Sequence, residues 1–161
     1  MTHTAKYLGT LLLALVATSC DESDEFYTEH YPIVSVEAIV EAAEEDPRLE
    51  QIRTELMAAS PVEAGGSYTL HFTEYNGGPL DIVTTEGATP LAGAFRKAPG
   101  STTLEFIYDG EARTYTLENY RAEDQRTKIV LQLDLTTRYR TLYPDAGITR
   151  AIRREYTSQN Y

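Results

Sequence analysis

Beyond Gly65-Gly66 the apolar residues recur at every second position, and this period constrains the chain more than any other feature. Tyr68, Leu70 and Phe72 share one face of an extended segment, with His71 and Thr73 on the other. Leu104, Phe106 and Tyr108 repeat the pattern, and Ile129, Leu131, Leu133 and Leu135 give its cleanest form. Side chains of a strand alternate between its two faces, so a period of two describes a sheet with one buried face. Turn residues separate the runs: Asn76-Gly77-Gly78-Pro79, Asp109-Gly110 and Pro144 to Gly147. Asp-Gly between alternating segments is a strong signal for a two-residue hairpin. Short strands are also expected around Leu80 to Thr85 and Leu91 to Lys97, with a return strand carrying Tyr115 and Leu117. The parity of the Ile129 row continues through Tyr139 and Tyr143, which extends the expected strand to Pro144. Ile148, Ile152 and Tyr156 are spaced four apart, a spacing that suits a helix or one face of a strand; a hairpin across Pro144–Gly147 favours the strand.

Upstream, Ile33 to Glu41 alternates through Val34, Val36, Ala38 and Val40 and reads as a strand. Asp46 is a good N-cap and Pro47 fits the first helical position. Leu49, Ile52, Leu56 and Met57 then lie on one helical face, and the helix should end before Ser60-Pro61. The expected fold is mainly β: an antiparallel meander of seven or eight strands, either a barrel or a strongly curved sheet, with one N-terminal helix packed against it. A single domain covers 33–161.

The only cysteine, Cys20, follows the apolar run Leu8 to Val16 and the small residues Ala17, Thr18 and Ser19. Lys6 and the amino terminus supply the positive start of a secretory signal. This junction resembles the processing site of bacterial lipoproteins. The resemblance implies removal of residues 1–19 and a diacylglycerol on the Cys20 sulfur. Ala17 stands where leucine is the usual occupant. The apolar run is well short of the roughly 20 residues a membrane-crossing helix needs, so the expectation is a tether, not a span. Two acyl chains, each contributing about 0.8 kcal/mol per buried methylene, suffice for stable anchoring. Asp21, Glu22, Asp24 and Glu25 resemble the acidic export signal of Bacteroidetes-group surface lipoproteins. That resemblance implies the lipoprotein-processing and export machinery as partners, and an address on the outer membrane facing the cell exterior. Residues 20–32 are expected to form an acidic tether.

The formal net charge of −11 argues against nucleic-acid binding, which needs Lys and Arg against phosphates. Charge is unevenly placed: residues 20–50 hold eleven acids against Arg48 alone. Arg138, Arg140, Arg150, Arg153 and Arg154 reverse the balance near the end, giving a candidate patch for an acidic glycan or protein partner, or simply solvated charge. A lone cysteine excludes an internal disulfide. His30 and His71 form no pair with metal-ligand spacing, so no metal site is expected. Ser67 and Ser101 lack a nucleophile-elbow context, and Glu74, Asp81 and Glu86 are unremarkable acids in an acidic chain. Twelve tyrosines without a tryptophan suit strands as well as a binding face.

The expectation is therefore a membrane-anchored, non-enzymatic lipoprotein whose β domain binds a ligand or protein, with no cofactor. The alternatives are a small calycin-like barrel holding an apolar small molecule, with a hollow lined by the Leu, Phe and Tyr rows, or a structural component of an envelope assembly.

Overall fold

The computed structural model describes residues 27–85, 89–98 and 100–160. Eight strands follow one another in a closed antiparallel barrel: β1 (Tyr27–Ala42), β2 (Ser67–Phe72), β3 (Gly77–Val83), β4 (Leu91–Arg96), β5 (Thr103–Tyr108), β6 (Glu111–Arg121), β7 (Thr127–Asp134) and β8 (Ile148–Asn160). Helix α1 (Leu49–Met57) joins β1 to β2, and α2 (Thr136–Leu142) joins β7 to β8. Closure comes from β1, which pairs with β2 through Tyr27–Pro32 and with β8 from Ile33 onward. Every described strand therefore has two neighbours, and among the described residues no edge is left to template another chain.

The period-two rows point inward as expected. Tyr68, Leu70, Phe72, Leu80, Ile82, Leu104, Phe106 and Leu131 are all fully or almost fully buried in one core. Outward positions carry His71, Asp81, Glu118, Gln132 and Arg154, none of them buried. A barrel that crosses a membrane presents an apolar band there instead. The Asp109-Gly110 hairpin forms with φ of 53° and 72°, the left-handed pair that a tight two-residue turn requires. Gly78 is needed for a different reason: a Cβ there would lie 1.9 Å from the His71 carbonyl oxygen.

Four expectations are corrected. Strand pairing reaches back to Tyr27, so Tyr27–Pro32, expected within the tether, belong to the barrel wall. The predicted row Val34–Val36–Ala38–Val40 holds only from Val36. An irregularity between Ile33 and Ser35 switches the faces, leaving Ile33 buried and Val34 half exposed. The strand predicted through Tyr139 and Tyr143 stops at Asp134 and gives way to the second helix, α2. Asp134 accepts the Thr136 N–H, which starts the turn, and Tyr139 then packs into the helical layer. Finally, α1 begins at Leu49, two residues after Pro47; Asp46 stabilises the preceding turn by accepting the Arg48 N–H at 2.8 Å.

The helices cover one end of the barrel. Ile52 and Leu56 of α1 pack with Val40, Tyr139, Ala146, Ile148 and Ala151 in a second core beside the first. Beside these cores lies a buried ion pair whose cation, Arg153, was expected in a basic surface patch or as solvated charge. β8 is a strand, as expected, but the barrel-facing row is Ala151, Arg153, Glu155 and Thr157, while Ile152 and Tyr156 point the other way. Arg153 and Glu155 have fully buried side chains 2.9 Å apart. Arg153 also donates to the main-chain carbonyls of Met57, at the end of α1, and Val62, in the loop after it. The last carbonyls of a helix lack intrahelical partners, so the guanidinium satisfies one of them and ties the α1 connection across the barrel end.

Tyr68, Tyr108 and Tyr115 surround the pair, and Ser60 meets the Tyr68 hydroxyl at 2.7 Å. Complete burial pushes the Glu155 carboxyl above its ordinary value, against the opposing pull of Arg153. One Glu155 oxygen has no hydrogen-bond partner among the described residues, in keeping with that direction.

Removing Arg153 leaves an uncompensated buried carboxylate and two unbonded carbonyls. Arg153→Met should destabilise the fold by about 3–5 kcal/mol in urea unfolding, and Arg153→Met/Glu155→Leu by less than Arg153→Met alone. A carboxyl raised in the folded state supports stability fully below its unfolded value and loses that support as pH rises through the folded one. Wild type should therefore lose stability relative to Glu155→Gln as pH is raised from 4.5, read from urea midpoints across a pH series.

Candidate functional site at the open end of the barrel

The end opposite the helices is bounded by the β2–β3, β4–β5 and β6–β7 connections, the start of β1 and the end of β8. Two adjoining recesses open there. One, of about 400 Å³, is lined by Glu29, Tyr31, Leu117, Ile129 and Gln159. The other, of about 390 Å³, is lined by Tyr27, Phe72, Glu74 and Tyr75. Lys97 and Gly100 border both. These volumes fall at the small end of the range for ligand pockets, roughly 300–1,000 Å³.

The walls follow from strand parity. Tyr27, Glu29 and Tyr31 are alternate residues of β1 and continue the inward row of Ile33, so β1 delivers a ring, a carboxylate and a second ring to the mouth. Phe72 ends the inward row of β2 and stacks on Tyr27 at 4.2 Å, while Phe95 meets its edge at 4.6 Å. Lys97, just past β4, holds Glu29 at 3.0 Å and lies 6.0 Å from the Phe72 ring centroid. Both charged side chains are about four-fifths buried, with relative exposures of 19% and 20%. Tyr31 donates to Glu29 at 2.5 Å, and burial together with that carboxylate pushes its hydroxyl far above the ordinary value. The Gln159 amide oxygen is buried without a partner among the described residues. The mouth thus combines aromatic and aliphatic walls with a few fixed polar groups, the make-up of a small-molecule site.

The interior below the mouth is packed. Tyr68, Phe106 and Tyr115 have ring centroids 4.7–6.2 Å apart, and Arg153 and Glu155 occupy the space beyond them. The expected Leu, Phe and Tyr rows line the barrel, but they are packed against one another in its interior and open into recesses at the mouth.

A larger cleft, of about 610 Å³, lies at the helical end among Glu55, Ala58, Arg113, Asp134, Arg138 and Tyr139. Two of its charges, Arg113 and Asp134, have structural work. Arg113 covers the Tyr108 ring at 4.0 Å and bonds Glu111, and Asp134 starts α2. We therefore place the candidate site at the mouth.

The five candidate arginines do not converge. Arg153 is buried in the barrel, Arg154 bonds Glu118 and Gln132, and Arg150 pairs with Glu41. Arg140 binds the Ile148 and Thr149 carbonyls, and Arg138 lines the helical cleft. His30 bonds Thr69 and His71 bonds Asp81, both on the barrel exterior. Among the described residues no cluster of three or more His, Cys, Asp or Glu is arranged to hold a metal ion. Ser67 is a buried strand residue, and Ser101 caps a turn by accepting the Thr103 N–H. Cys20, residues 17–19, the acids Asp21 to Glu25, and Glu86 lie outside the described residues.

Sequence reasoning missed Glu29, Tyr31 and Lys97. The first two were reachable by running the Ile33 parity backward through the segment taken as tether. Lys97 had no such signal, because only barrel closure brings the β4–β5 connection across the mouth to the start of β1. No family model, curated protein or solved structure matches the chain.

The mouth residues differ in what they do for stability. Phe72→Ala should cost about 3–5 kcal/mol in urea unfolding, as for other large core truncations. Tyr75→Ala, at a side chain 80% exposed, should shift stability by no more than about 0.5 kcal/mol.

Proposed function

We propose that the protein is a non-catalytic, lipid-anchored binding barrel that takes a small amphipathic molecule at its open end. The observation that carries this reading is the mouth: apolar recesses bordered by Tyr27, Phe72, Leu117 and Ile129, with the Lys97–Glu29–Tyr31 group fixed between them. Lys97 and Glu29 neutralise each other, so the site favours a molecule with an uncharged or zwitterionic polar end over a simple anion. The apolar part lies against the rings, and the polar end meets Lys97, Glu29 and the free Gln159 oxygen.

Anchoring through Cys20 after removal of residues 1–19 completes the proposal, with Asp21, Glu22, Asp24 and Glu25 directing the protein to the outer face of the outer membrane. Its support is the sequence around Cys20 and a barrel exterior that is polar on its outward rows.

Two experiments test these parts separately. A fluorescent single-chain amphiphile should bind saturably, and Lys97→Met and Tyr75→Ala should each weaken it about tenfold, the effect of losing about 1.4 kcal/mol of contact. Absence of saturable binding across chain lengths and head groups would reject the binding role. Protease added to intact cells should degrade the wild-type protein but spare a variant with the four acids neutralised. Protection of the wild type under conditions that digest a surface control would reject the surface address.

A further inference from the structure

We infer that the mouth end of the barrel is a bilayer-docking face, so that its recess opens toward the lipid surface; this rests on the Cys20 anchoring proposed above. Three independent features of the molecule point the same way.

The first is where the chain enters the barrel. β1 starts at Tyr27, and Tyr27 itself lines the mouth recess. Seven residue steps separate it from Cys20. At about 3.3–3.6 Å per residue they reach about 25 Å at full stretch. The eight residues of β7 span a similar length at about 3.3 Å each. Bringing the helical end to the bilayer would need the whole tether drawn taut along the barrel wall. Bringing the mouth there needs no extension at all.

The second feature is the rim. Tyr75, at the β2–β3 turn, is 80% exposed, and Tyr27 is 52% exposed. Tyrosine at a membrane surface places its ring among the acyl boundary and its hydroxyl in water, which is why it concentrates at such interfaces.

The third is charge. Near the mouth, cations sit in pairs with acids: Arg96 with Glu105, Lys97 with Glu29 and Lys128 with Asp124, all within 3.3 Å. At the helical end, Glu44 and Glu45 are exposed together beside the Arg53–Glu50 pair. A bilayer carrying anionic lipid repels that end and tolerates the balanced one. The acids from Asp21 to Glu25 lie beside the anchor in either orientation and do not discriminate.

The chain contains no tryptophan, so a single introduced one reports its own position. Tyr75→Trp places it on the mouth rim and Leu142→Trp, at a 55% exposed position of α2, on the opposite end. Each full-length protein is recovered from cell envelopes, its mass measured for acyl chains, and reconstituted into phosphatidylcholine–phosphatidylglycerol vesicles containing spin-labelled lipid. The expected result is acylated protein with emission from Tyr75→Trp quenched several-fold more than from Leu142→Trp. Acylated protein in which Tyr75→Trp is quenched no more than Leu142→Trp overturns the orientation and leaves the anchor standing. Protein without acyl mass overturns both.

Discussion

The architecture depends on one buried guanidinium. Arg153 projects from the last strand into the barrel, pairs with Glu155 two residues on, and donates to the backbone where α1 ends and the following loop begins. Removing two charges from water costs several kcal/mol each, and the cost is offset only if every polar group finds a partner. Here the charge of Arg153 is matched by Glu155, and its remaining donors meet carbonyls that would otherwise be unbonded, while one Glu155 oxygen stays without a partner among the described residues, so the offset is incomplete. A planar fork suits this task better than an ammonium, because it reaches a carboxylate and two separate carbonyls at fixed angles. The same contacts hold the α1 connection against the barrel end.

Closure of that end decides where chemistry can occur. With Tyr68, Phe106 and Tyr115 packed above the ion pair, the barrel has no through-going hollow. What remains open is the mouth, where the inward rows present rings, branched chains, the Lys97–Glu29 pair and the Gln159 amide. The mouth is shallow, which suits a small amphiphile better than a long one. The cation lining its recesses, Lys97, is already held by Glu29, so under the proposed function selectivity rests on shape and on balanced hydrogen bonding.

Much of this was legible in the sequence because strand burial has a period that single residues report. The rows ending in Phe72 and Tyr108, the start of the row at Ile129, Leu131 and Leu133, the Asp109-Gly110 turn and the helix around Ile52 all follow from spacing alone. The failures share a cause: they depend on partners distant in the chain. The face switch at Ile33–Ser35 arises because β1 changes partners from β2 to β8 there. The Tyr139 row looked like a strand because helical and extended spacings coincide at every fourth residue. Arg153 and Glu155 looked like surface charge, since a strand with a polar inward row is ordinarily read inside out. Their alternation with Ile152 carried the information, but only the barrel shows which face is in. At the mouth, Glu29 and Lys97 meet across 68 residues, a pairing that no local pattern encodes.

The central claim is that one end of the barrel is closed by Arg153 and the other receives the ligand. The most direct measurement is a backbone amide NMR titration with a single-chain zwitterionic amphiphile below its micelle concentration. The account predicts saturable shifts confined to the mouth: the starts of β1 and β5, the Phe72–Tyr75 turn, the connection from Lys97 to Thr102, the Leu117–Asn119 stretch, Ile129 and the Gln159–Asn160 end of β8, with Arg153, Tyr68 and Tyr115 unmoved. Shifts centred on the helical cleft around Glu55 and Arg138, or spread through the interior around Arg153, would contradict it.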